Sequence, residues 1–146
     1  MSQYIDRHKN KRMVAPRLCE TEIQKLMATR MLPGHDRHSR LEFLLTLMTE
    51  LAEQELEYRL APTNTEARHG HGTHLRISDE LWDRLQTYAS VYRMRTGELA
   101  HELILLGLEL VEEIEKVVKW PLRKEEIKSR FKRTLELRYG RMRQPI

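Results

Sequence analysis

Histidine has the widest chemical reach of any residue type in this chain, and three of the seven histidines, His69, His71 and His74, crowd into HGHGTH. His35 and His38 sit in a second polar turn. Ligands two and three residues apart can converge on one ion, but structural zinc sites of this size usually add cysteine. The sole cysteine, Cys19, is far away in sequence, so no metal site is expected. Near neutral pH the same histidines would add positive charge. Catalytic patterns are absent as well: there is no Gly-rich phosphate loop, no nucleophile elbow and no Glu/His metallohydrolase spacing. Glutamates such as Glu53, Glu55, Glu57, Glu109, Glu112 and Glu113 fit solvated helix faces. Trp82, Tyr88, Tyr92 and Phe131 recur at helical spacing and read as core. The expectation is a protein that is not an enzyme and carries no cofactor.

Charge is the other chemical signal. The 146 residues carry a formal net charge of +4, which permits a polyanion partner. Its distribution says more than its total. Residues 1–17 hold five Lys/Arg against one acid, and residues 121–146 hold nine against three. By contrast, residues 18–60 hold five against eight and residues 79–120 five against nine. Basic ends on an acidic body suit arms that hold phosphates. A single cysteine excludes an internal disulfide and fits a reducing compartment. No stretch reaches the ~18 apolar residues of a membrane span, and the first residues lack the apolar region of a signal peptide. A cytoplasmic protein without membrane contact is expected.

The stretch that would organise these groups is residues 73–119. In His74-Leu75-Arg76-Ile77-Ser78 the apolar side chains alternate with polar ones, which predicts a strand with Leu75 and Ile77 on one face. Five residues make a strand that needs pairing, and the nearest downstream pattern is helical, so the same strand of a second chain is the expected partner. A helix opens at Ser78 or Asp79, either of which can accept from the free N–H groups of the first turn. Its apolar side is Leu81, Leu85, Ala89 and Tyr92. Met94-Arg95-Thr96-Gly97 interrupts the pattern, with Thr96 as the expected N-cap of a second helix. That helix is apolar over a wide arc from Leu99 to Val118, which suits burial on two sides.

In this order and spacing the segment resembles the ribbon-helix-helix DNA-binding proteins, the family of Arc, MetJ and CopG-like repressors. The resemblance rests on x-Leu-x-Ile-Ser, on SDELWDRLQTYA and on TGELAHELILLGLEL, about a third of the chain. It implies a homodimer whose intermolecular antiparallel β-ribbon enters the major groove of double-stranded DNA. Carried over residue by residue, His74, Arg76 and Ser78 would face bases. A guanidinium at Arg76 could bond guanine O6 and N7 together. A phosphate would sit at the second helix's N-terminus, near Arg95, Thr96 and Gly97. His74 departs from the smaller polar or basic residue commoner at its position.

Around this module, at 73–120, the chain divides into a basic flexible arm at 1–17, a helical region at 18–60, a linker at 61–72 and a basic helix and tail at 121–146. The N-terminal region holds a short helix from Thr21, stopped by Pro33-Gly34, and a longer one from Ser39 to about Leu60. Leu41, Leu44, Met48 and Leu51 form the longer helix's apolar seam. The last helix is predicted over 123–138, with Lys128, Lys132 and Arg133 placed to cross a DNA backbone. No internal repeat with a period of 20 to 50 residues is visible. The fold class expected is mostly α around a ribbon-helix-helix module. The function expected is a dimeric, sequence-specific DNA-binding repressor or DNA-organising factor, with higher oligomers on DNA allowed. An alternative is a non-catalytic adaptor, antitoxin-like or relaxosome-like, whose residues 18–60 bind a protein partner.

Overall fold

A computed structural model describes residues 11–14, 16–53, 71–72, 75–118 and 122–139. The chain is mostly helical with a small antiparallel sheet component. The first elements are β1 (Lys11–Val14), β2 (Arg17–Leu18), α1 (Glu20–Ala28) and α2 (Arg37–Glu53). There follow β3 (His71–Gly72), β4 (Leu75–Ser78), α3 (Asp79–Tyr92), α4 (Thr96–Glu115) and α5 (Lys124–Tyr139). The order strand, helix, helix thus occurs twice.

β4 forms where the sequence predicts a strand, with Leu75 and Ile77 fully buried and Arg76 and Ser78 exposed. Its partner differs from the expected one. β4 pairs with β1 of the same chain, in the register Lys11↔Ser78 to Val14↔Leu75. A strand edge needs hydrogen-bond partners wherever they can be found. This chain brings its own, so the ribbon is intramolecular. The N-terminal arm is corrected in the same way: Lys11–Val14 and Arg17–Leu18 are strands, and Val14, Pro16 and Leu18 are buried.

Helix ends follow local capping chemistry. Ser78 Oγ accepts from the Leu81 N–H at 3.2 Å to start α3. α3 stops at Arg93, whose φ of 55° is left-handed. Cys19 starts α1, its N–H donating to Glu22 Oε1 at 2.9 Å. Beyond α1 the chain turns at Gly34, whose φ of +115° is open only to glycine without strain. Arg40 braces that turn, with Nη1 donating to the carbonyls of Leu26 and Thr29 and Nε to that of Gly34. α2 begins two residues before the predicted Ser39 and is described to Glu53. The rest of the helix predicted to Leu60 lies outside the described residues, as does most of the 61–72 linker. The N-cap of α4 is Arg95, not the expected Thr96, which is its first helical residue. α5 is shifted one residue C-terminal of prediction.

α2 and α4 form the centre of the core and pack face to face. Gly107 of α4 makes the close approach possible: a Cβ there would lie 2.7 Å from Leu44 Cδ1 and 3.1 Å from Met48 Cγ. α1 covers α2 and α4, α3 lies on α4 and α2, and β1 and β4 close one side. The helices of 18–60 and the 73–120 module therefore share one core and are not separate layers. α2's apolar face, from Leu41 to Ala52, is buried inside the protein. α5 packs on α4 with Ile127, Phe131 and Leu135 buried.

Candidate nucleic-acid interface

The outer face of the ribbon carries Arg76 and Ser78 from β4, with exposed Met13 directly opposite Arg76. Arg76 keeps the outward position expected of a base reader. Its backbone N–H donates to His38 Nε2 at 3.2 Å, so the first turn of α2 adjoins the ribbon. His38 Nδ1 lies 3.7 Å from the Glu42 carboxylate. Ser78 is exposed too, but its hydroxyl already serves as the α3 cap, which leaves it a weaker reader. His74 lies outside the described residues.

A further short ladder pairs Arg17 with Gly72 and Leu18 with His71. Leu18 is buried and Arg17 exposed, so Arg17, like Arg76, points away from the core by the alternation of strand side chains. Sequence reasoning misses Arg17. The signal that could have found it is Pro16-Arg17-Leu18-Cys19, an alternation as short as that of Leu75-Arg76-Ile77-Ser78 and hidden by the proline.

The two second-helix N-termini differ in chemistry. At α4 no side chain caps the helix, Arg95 is largely exposed with its Nε 3.8 Å from Glu98, and Gly97 faces open space on its Cβ side. A phosphate could approach these first-turn N–H groups unobstructed. At α2 the Ser39 N–H instead donates to Asp36 Oδ1 at 2.7 Å. That backbone bond, more than any neighbouring charge, holds the Asp36 carboxyl below its ordinary range. A fixed anion already occupies the α2 terminus.

The basic residues of α5 fall into two groups. Lys128 Nζ is 3.1 Å from Glu50 Oε2, and Arg138 bridges Glu109, at 2.9 Å, and Glu113. These cations tie α5 to α2 and α4. Lys132 and Arg133 are exposed. The expected phosphate-holding trio is thus divided, with Lys128 engaged inside the protein. Among the described residues no group of His, Cys, Asp and Glu is arranged to hold a metal ion, and no helix is long and apolar enough to cross a membrane.

No protein-family model, curated protein or solved structure matches this chain.

Proposed function

We propose that this protein binds double-stranded DNA in a sequence-dependent way through its β-ribbon, as a transcriptional repressor or an accessory DNA-organising factor. The observation that carries the reading is an antiparallel two-stranded ribbon with Arg76 outward, its backbone N–H bonded to His38 in the first turn of α2. A ribbon of this width fits the major groove, where base pairs present distinct donor and acceptor patterns. Arg76 supplies the fork that reads guanine, and the α4 N-terminus near Arg95, Thr96 and Gly97 supplies sequence-blind grip on a phosphate. Lys132 and Arg133 are further phosphate candidates.

The test is a titration of the full chain with random-sequence and selected duplexes at increasing salt. Sequence-dependent binding that weakens steeply with salt supports the reading. Arg76→Ala should cost roughly 1–3 kcal/mol on the selected duplex and much less on random DNA. Gly97→Glu should weaken both alike by crowding and charge repulsion. Equal loss of specificity in the two variants, or none in Arg76→Ala, would show that the ribbon does not read sequence.

A further inference from the structure

Two ion pairs in this fold are reciprocal. Lys25 Nζ on α1 meets Glu112 Oε2 on α4 at 2.8 Å, and Arg84 Nε on α3 meets the Glu53 carboxylate on α2 at 3.0 Å. Each joins the first helix of one strand–helix–helix unit to the end of the second helix of the other. The same offset of 59 residues relates the cations (84 − 25) and the carboxylates (112 − 53).

That offset holds wherever the two units can be compared. It relates the helix-starting residues Cys19 and Ser78 (78 − 19) and the first residues of the second helices, Arg37 and Thr96 (96 − 37). It also relates the two described residues of positive φ, Gly34 and Arg93 (93 − 34). Every buried residue of α2, from Leu41 to Ala52, falls on a buried residue of α4, from Ala100 to Val111. At the helix crossing, Gly107 meets Met48, its own counterpart (107 − 48).

The ribbon closes the relation. Arg17↔Gly72 and Leu18↔His71 continue the register of Lys11↔Ser78, because both strands advance by equal steps in opposite directions. The offset carries Met13 to Gly72 (72 − 13) and Arg17 to Arg76 (76 − 17). It therefore turns the pair Met13↔Arg76 into the pair Arg17↔Gly72, which is the pair observed. An antiparallel ladder mapped onto itself has a two-fold axis through its middle. One such axis accounts for the reciprocal ion pairs, the facing second helices and the ribbon together.

We propose that one chain is by itself a complete two-halved DNA reader, and that Arg17 is a second specificity-determining residue, the counterpart of Arg76. The inference rests on the DNA-binding reading above and assigns it a stoichiometry and a target shape. Arg17 lies four residues beyond Met13, the ladder partner of Arg76 (17 − 13), which is roughly 13 Å at strand spacing. At ~3.4 Å per base pair this spans about four steps of one major groove. A two-fold arrangement presents the arginines to opposite strands of the duplex, so the target is a short inverted repeat read by a single chain. The repeat is imperfect, because Gly72 and Met13 flank the two arginines differently.

The test starts with selection of preferred duplexes from a pool with a randomised centre, using the full chain. Base preferences are then measured for Arg17→Ala, Arg17→Lys and Arg76→Ala, with circular dichroism checking that each variant keeps its helices. The selected site should be an inverted repeat bound by one chain in sedimentation. Arg17→Ala should relax one half of the repeat and Arg76→Ala the other, each weakening the selected duplex roughly 5- to 150-fold. Arg17→Lys should relax the same half as Arg17→Ala, since an ammonium keeps the charge but not the planar fork. If both Arg17 variants keep all base preferences while Arg76→Ala loses one, or if two chains occupy one repeat, the inference is overturned and the DNA reading stands. If the unaltered chain selects no sequence, the DNA reading fails and takes the inference with it.

Discussion

Glu112 shows what a single side chain contributes to this fold. Its hydrogen bond from Lys25, more than the accompanying charge attraction, holds its carboxyl below the ordinary value of 4.5, and the same bond raises Lys25 above 10.5. A carboxyl whose folded pKa is depressed stabilises the fold above its unfolded value, and loses that contribution as pH falls through the folded one. Asp36, lowered from 3.8, acts in the same direction. The difference in melting temperature between the unaltered protein and Glu112→Gln should therefore be largest above pH 4.5 and vanish on further acidification. A difference that persists at the acid end would assign the effect to something other than this ionisation. Ser78 offers a second check, because its hydroxyl is a cap. Ser78→Ala should cost about 1 kcal/mol in chemical denaturation.

At the scale of elements, two contacts dominate. The crossing of α2 and α4 depends on Gly107, where any side chain meets Leu44 Cδ1 and Cγ within 3 Å. Gly107→Ala adds helix propensity of about 1 kcal/mol against that crowding, so the informative change is Gly107→Val, which adds bulk and a β-branch. Gly107→Val should destabilise by about 1–3 kcal/mol through overpacking, seen as a lower urea midpoint at unchanged slope. The second contact is the seat of the ribbon. Leu75 is fully buried beneath it, and Leu75→Asp would place an unpaired charge there at a cost of several kcal/mol. Helical circular dichroism that melts like the parent's would mean that β4 does not seat Leu75 against the core.

For the whole molecule, the decisive feature is that β4 finds its partner within its own chain. Lone two-stranded hairpins are marginal in water, but this ribbon lies on a helical core that buries Val14, Leu18, Leu75 and Ile77. Sedimentation of the full chain at micromolar concentration should accordingly show a folded monomer. Deleting residues 1–14 exposes the β4 edge, and the truncated chain should self-associate through it. A full-length chain that is wholly dimeric, with its state unchanged by the deletion, would mean that the intramolecular ribbon is not what closes the fold.

Local physics makes much of this legible in the sequence. The alternation of Leu75 and Ile77, the cap at Ser78 and the 3.6-residue periodicity of α1 to α5 depend on near neighbours, and the structure keeps them to within a residue or two, whereas α1 ends at Ala28, short of the predicted stop at Pro33-Gly34. The outward place of Arg76 follows from the same alternation. The partner of β4 is hidden, because Lys11-Arg12-Met13-Val14 carries two charges and no apolar alternation, and Pro16 interrupts the pattern that continues in Leu18. A short strand takes its identity from the edge it meets, which for β1 is more than sixty residues away. The two-fold relation is hidden more deeply. Between residues 19–53 and 78–112 identical residues fall at few positions, among them Leu26/Leu85, Leu47/Leu106 and Glu53/Glu112. Burial asks only that a side chain be apolar and of suitable volume, so Leu41 can answer to Ala100 and Met48 to Gly107. Which helix faces which, and that Lys25 reaches Glu112 as Arg84 reaches Glu53, were decided by the packing of the two units against each other.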